Sequence, residues 1–213
     1  MRLSDQEEKE TGRVEAFSDG VFAIAITLLI LNLKTPEPAE LKGASLIPFL
    51  LKQWPTYFAF LMSFLTILVM WVNHHRLFTF IRRTDGRLLF INGLVLLVVT
   101  ITPFPTSLLA TYLMHAGAKS AAQIYAANSI AIAVAFNILW RYATAGDRLL
   151  YENADRKTIA IIDKQYSFGM PAYLVAFATS FFSAYLSMGI CMLLALFFCF
   201  TGSSKAAFVG RTK

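Results

Sequence analysis

Apolar and polar positions along this chain fall into long blocks. The short periods of soluble helices and strands are not the dominant pattern. Six runs stay mostly apolar for close to twenty residues each, at roughly 14–33, 53–73, 88–113, 121–142, 167–185 and 187–203. A helix of about 20 such residues crosses the hydrocarbon core of a bilayer. The pattern therefore predicts an all-α protein with six transmembrane helices, forming a single transmembrane domain over 1–213. The last two runs are short, and only a tight turn around Ser187 can part them. One helix in their place would overshoot the membrane by several turns. No small-residue cleavage site follows the first run, so it reads as a retained span and not a signal peptide. The stretch 34–52, with Pro36, Pro38 and Pro48, reads as an outer connection. The stretch 143–166 alternates in charge (Asp147, Arg148, Glu152, Asp155, Arg156, Lys157, Asp163, Lys164) and reads as a solvated helical linker. Pro103 and Pro105 interrupt the third run. They predict a kink there, with freed carbonyls that neighbours or water must satisfy.

Composition agrees with this reading. Of 213 residues, 57% are hydrophobic and only 15% charged. Soluble domains carry nearer a quarter charged residues, so lipid must serve as part of the solvent. The net charge of +6 could signal nucleic acid, but the placement of the basic residues points elsewhere. Six spans put fifteen of the nineteen Lys and Arg residues on the side of the termini and leave Lys34, Lys42, Lys52 and Lys119 opposite. That asymmetry predicts cytoplasmic termini and no nucleic-acid partner. Trp54, Tyr57, Tyr112, Tyr125 and Tyr185 mark predicted outer ends, and Trp71, Trp140, Tyr142 and Tyr166 inner ones. Cys191 and Cys199 lie in the last apolar run and read as small hydrophobes.

Chemistry-bearing residues are sparse. Of thirteen acidic residues only Glu15 and Asp19 fall inside a span, both near its start. Ionisable groups at membrane depth are costly and are paired or face a cavity. The second span ends at the same depth with Trp71, Asn73, His74, His75 and Arg76, so Arg13 and this cluster can reach Ser18 and Asp19. A helix–helix clamp and an ion or proton site both fit. His74 and His75 are adjacent and point about 100° apart on a helix, which disfavours a metal site. Hydrogen bonding to the first span, or a pH-sensitive contact, fits them better. Ile24, Thr27, Leu28 and Leu31 fall at i, i+3, i+4 and i+7, one face with a single hydroxyl. Ordinary packing, lipid contact and pore lining all account for such a stripe. The small residues of the fourth span, Ala126 to Ala135, suit close helix approach. There is no phosphate-cradling glycine loop, zinc-type His/Glu spacing, G-x-S-x-G or TVGYG run, and no span has a central carboxylate or lysine. These absences speak against an enzyme, a carbonyl selectivity filter and a proton-coupled carrier.

The segment Arg13-Val-Glu-Ala-Phe17-Ser18-Asp19, opening the first span, resembles the signature of the transmembrane protein 175 family of potassium channels. The Trp71…His74-His75 end of the second span and the Pro103-Phe104-Pro105-Thr106 segment are similar to that family as well. The resemblance implies a homotetramer in the cell membrane, with four copies of the first helix lining a central pore. It implies an apolar constriction at Ile24, with Leu28 and Leu31 further outward, and a hydroxyl layer at Thr27 that favours potassium. Arg13, Phe17, Ser18, Asp19, Trp71, Asn73, His74 and His75 are then a structural or gating network. Potassium is the permeant ion, and no cofactor or metal is implied. The expected activity is a modestly selective, leak-type cation channel with a hydrophobic gate. A non-conducting membrane scaffold or a small-molecule carrier is the alternative.

Overall fold

The computed structural model describes residues 3–41 and 45–202, and every segment of regular structure among them is helical. Helix α1 (Leu3–Leu28) tightens into a 3-10 turn over Leu29–Asn32. Two short helices, α2 (Pro38–Leu41) and α3 (Leu46–Lys52), form the connection to α4 (Trp54–Phe78). Then follow α5 (Gly86–Ile101), α6 (Pro103–Tyr112), α7 (Ala118–Thr144), α8 (Arg156–Ser180) and α9 (Ala184–Gly202). Among the described residues four stretches are long and apolar enough to cross a membrane: Glu10–Asn32, Trp54–Phe78, Gly86–Tyr112 and Ala118–Asp147. They coincide with the first four apolar runs. The fifth and sixth runs form helices too, but α9 is apolar over a shorter length, Ala184–Phe200, and α8 carries Arg156, Lys157, Asp163 and Lys164.

Two boundaries differ from the sequence expectation. The second half of the stretch read as a linker, 156–166, is the opening of α8 itself. Asp155 caps it by accepting from the Lys157 and Thr158 N–H groups. Thr158, Ile159 and Ile162 are then buried, so this part of the helix is held by packing despite its charges. The break between the last two helices lies at 181–183 and not at Ser187. Ser183 Oγ accepts from the Leu186 N–H and caps α9. Ser187 sits inside α9, fully buried, and donates to the Ala176 carbonyl at 2.7 Å. Its hydroxyl fastens α9 to α8.

The proline interruption of the third run behaves as its chemistry demands. α5 ends at Ile101 and α6 restarts at Pro103. Asn128 Nδ2 donates to Thr102 Oγ1 at 3.1 Å, and Thr106 Oγ1 lies 2.7 Å from both the Thr102 carbonyl and Ser63 Oγ. These bonds tie the interruption to α4 and α7, while the Val99 carbonyl, which Pro103 leaves without its usual donor, accepts from the Thr102 N–H at 3.0 Å. At the end of α7, Gly146 takes φ 66°, the left-handed geometry that stops a helix. The chain then pairs Ile81 with Leu150, which ties the α4–α5 connection to the α7–α8 connection. Thr11 Oγ1 donates to the Arg82 carbonyl, so the start of α1 is anchored to the same place.

Two buried apolar clusters hold the bundle together. One gathers Phe22, Leu29, Ile67, Leu88, Phe136 and Trp140, among others, from α1, α4, α5 and α7. The other joins Ala59, Met62, Leu109, Ala122 and Met188 from α4, α6, α7 and α9. α1 packs against α4 and α5 on one side only. Its opposite side is bare, and the candidate site lies there and at the buried seam.

Candidate functional site

Helix α1 has two faces. Ser18, Phe22, Ala25 and Leu29, at i, i+4, i+7 and i+11, are buried to 2% exposure or less. Phe17, Ile24, Leu28 and Leu31 stand out at 68%, 61%, 40% and 70% exposure. Arg13, Gly20, Ala23 and Thr27 are exposed on the same side. An apolar stripe of this length with nothing against it needs lipid or another chain as its neighbour. Thr27 is its polar member. Its Oγ1 lies 2.9 Å from both the Ala23 and Ile24 carbonyls, so the hydroxyl proton is spent on its own helix. The oxygen lone pairs are left for whatever faces the stripe, which suits a cation and not an anion.

At the buried seam three residues form a chain of hydrogen bonds. Ser18 Oγ donates to the Val14 carbonyl at 2.8 Å and accepts from Asn92 Nδ2 at 3.0 Å. Asn92 Oδ1 lies 2.8 Å from His74 Nε2, so the His74 proton belongs on Nε2. All three side chains are at 3% exposure or less. His74 is boxed by Phe22, Phe78 and Phe136, with ring centroids 5.3, 4.5 and 6.5 Å away. Its Nδ1 has no hydrogen-bond partner among the described residues. A bare lone pair against aromatic carbon is tolerated better than an unpaired N–H would be, and this fixes the same tautomer.

Nearer the surface, α1 and α4 are joined by two further contacts. Trp71 Nε1 donates to Asp19 Oδ1 at 2.8 Å, and His75 Nδ1 lies 3.3 Å from Glu15 Oε1. The pairs are four residues apart on each helix and run in opposite directions, as an antiparallel register requires. The indole also stacks on the His75 ring at 6.4 Å.

Of the residues singled out in the sequence, Ser18, Asp19, Trp71, His74 and His75 meet at the α1–α4–α5 seam. Ile24, Thr27, Leu28 and Leu31 share the bare face. Other expected contacts do not form. Arg13 makes no ion pair among the described residues, and Asp19 takes its hydrogen bond from Trp71. Phe17 points away from the protomer. Asn73 donates to the Val69 carbonyl of its own helix and faces a cleft between α4, α7 and α8. Arg76 reaches Gln165 on α8. The reason is angular: residues 73 and 76 lie on the far side of α4 from residues 71, 74 and 75. Asn92 is the seam residue that the sequence reading missed. A lone amide inside the apolar run 88–99 was its signal, because such groups within a membrane are retained for a partner.

Known proteins resemble this chain over most of its length. The family model described as endosomal/lysosomal potassium channel TMEM175 matches residues 13–103, which contain the stripe and the seam. A potassium channel of Chamaesiphon minutus is 55% identical over 192 residues, 90% of this chain and 95% of that protein. A potassium channel of Streptomyces collinus is 44% identical over 195 residues, 90% of this chain and 92% of that protein. The crystal structure of a lysosomal potassium-selective channel TMEM175 homolog from Chamaesiphon minutus superposes with a TM-score of 0.85 at 50% identity, covering 92% of this chain and 100% of that one. The chain belongs to the TMEM175 family.

Proposed function

We propose that the protein is a potassium-permeable channel in which four copies of the chain surround a pore lined by α1. The observation that carries this is the bare face of α1, where Ile24, Leu28 and Leu31 stand exposed beside Thr27. One bundle cannot enclose a water path with a single outward stripe. Closed rotational symmetry can, by setting one copy of the stripe on each side of an axis. Relatives that match nearly the whole chain are named as potassium channels, not as enzymes, and this supports the same reading.

In this assembly Ile24, Leu28 and Leu31 form successive apolar rings that gate by dewetting. No carbonyl filter contributes. The Thr27 oxygens replace part of an ion's hydration shell, and only weakly. The result is a leak with modest preference for the cation that sheds water more easily. The whole chain 1–213 acts as one transmembrane domain with six spans, and α8 and α9 complete the fifth and sixth. Both termini lie in the cytoplasm and the channel sits in the plasma membrane. Membrane lipid is its surroundings, potassium its permeant ion, and no cofactor takes part.

The test is potassium flux from liposomes containing the purified protein, together with its mass in detergent. A tetrameric mass and a flux that rises several-fold in Ile24→Asn are expected, because a polar ring wets the constriction. A monomeric mass, which suits a scaffold or carrier, overturns the proposal. So does an absence of flux, or an Ile24→Asn variant that conducts like the native protein.

A further inference from the structure

Outward from Leu31, the first charge along the chain is Lys34. It is exposed and makes no ion pair among the described residues. It borders a polar recess of about 290 Å³, where the chain leaving α1 meets the start of α4 and the end of α6. Asn32, Gln53, Thr56, Ser107 and Thr111 share that recess with it, and among the described residues no carboxylate lines it. The ammonium is therefore exposed, and the next charge along the chain is Glu37. At the other end of the stripe Glu15 is engaged with His75 and Asp19 with Trp71.

We propose that Lys34 sets the conductance of the outer mouth. The inference rests on the α1-lined tetramer proposed above, which places four copies of this ammonium around the outer entrance. A ring of like charge raises the potential there and depletes cations in front of the constriction. Potassium entering from the outside meets that depletion, whereas potassium leaving does not, so the channel passes outward current more readily than inward. The effect belongs to solvent-exposed charge and is set by screening. The Debye length is about 10 Å at 0.1 M salt and about 3 Å at 1 M. An exposed lysine ring acts on passing ions in the first condition and is hidden in the second. Depletion also steepens with ionic charge, so outer divalent cations are held off more strongly than potassium.

The experiment compares current–voltage curves of native, Lys34→Gln, Lys34→Glu and Lys34→Arg channels in planar bilayers, in symmetrical potassium chloride at low and high concentration. At low salt the ratio of inward to outward current should rise about two-fold in Lys34→Gln and further in Lys34→Glu. Lys34→Arg keeps the charge and should match the native curve. At high salt the four curves should converge. Superimposed curves at low salt overturn the inference, as do differences that survive unchanged at high salt. Ile24→Asn recorded alongside separates the two ideas. If it opens the pore while Lys34→Glu changes nothing, only the role of Lys34 falls. If neither alters conduction, the α1-lined pore falls with it.

Discussion

Replacing Asn92 tests whether the buried seam holds α1 in place. Its amide bridges Ser18 on α1 and His74 on α4, at 3.0 and 2.8 Å, with all three side chains out of solvent. Interhelical hydrogen bonds within membranes average about 0.6 kcal/mol, so the two bonds alone account for about 1 kcal/mol. Asn92→Leu also strands the His74 Nε2 proton in an aromatic box, and an unpaired buried donor adds roughly 1–3 kcal/mol. A loss of about 2–4 kcal/mol follows, which for a chain of this length lowers the unfolding midpoint by roughly 4–16 °C. Asn92→Leu keeps the bulk of the side chain, so the loss reports hydrogen bonding and not a cavity. The decisive variant is the double substitution Asn92→Leu with His74→Phe. The new ring joins Phe22, Phe78 and Phe136 and strands no donor. Removing both partners of a buried bond together can be nearly neutral, so the double variant should recover most of what Asn92→Leu alone loses. Thermal unfolding of the purified protein in detergent measures all four corners of the cycle. A single-variant cost below about 0.5 kcal/mol, the range of an ordinary surface change, would refute the argument. So would a double-variant cost equal to the sum of the singles within about 0.5 kcal/mol.

Other consequences follow from individual contacts. Thr27→Val should lower the preference for potassium over sodium, read as reversal potential under mixed-cation gradients, whereas Thr27→Ser keeps the outward lone pairs and should retain it. Trp71→Phe keeps a ring over His75 but removes the N–H that holds Asp19. It should cost about 1 kcal/mol of thermal stability in detergent. Asp85 caps α5 through the Leu88 N–H at 2.8 Å and also accepts from the Tyr142 hydroxyl and pairs with Arg148. Burial alone would raise its pKa, but the capping bond, the Tyr142 hydroxyl and the Arg148 charge outweigh it and hold the carboxyl below its ordinary value. A carboxyl lowered in the folded state stabilises above its unfolded pKa, roughly pH 4, and that contribution fades as pH falls through the folded value. The unfolding midpoint of the native protein should therefore drop more steeply below pH 4 than that of Asp85→Ala, which at neutral pH should already be less stable by about 1 kcal/mol.

The first four spans were legible because each is an apolar block too long for any soluble element. The end of the chain was harder for a local reason. Ser187 looked like a turn residue in an apolar run, yet a hydroxyl inside a membrane helix can donate to a neighbouring carbonyl, as it does to Ala176. The real cap, Ser183, follows Phe181 and Phe182, which by themselves read as more helix. The start of α8 was hidden by its charges, although Asp155 followed by Thr158 is a capping pattern that could have been read. At the seam, Ser18 and Asp19 were visible as polar residues opening a span. Their partners were not, because pairing Glu15 with His75 and Asp19 with Trp71 depends on the register of two helices that the sequence leaves free.

The hardest question in the sequence was which face of α1 is the functional one, since Phe22, Ala25 and Leu29 are as apolar as Ile24, Leu28 and Leu31. Hydrophobicity cannot separate two such faces; only the neighbours can. Ser18 answers it. Its oxygen accepts from Asn92, which lies on α5. That one bond rotates α1 so that Phe22, Ala25 and Leu29, on the face of Ser18, go inward. Ile24, Leu28 and Leu31 are left outside by the 3.6-residue period. The protomer thus buries the polar member of the helix and leaves the apolar stripe bare, the reverse of a soluble protein. The same rotation carries Thr27 outward with its lone pairs free. The buried seam and the proposed pore wall are in this sense one feature. A substitution that releases Ser18 from Asn92 should change conduction through Ile24 and Thr27 without touching either.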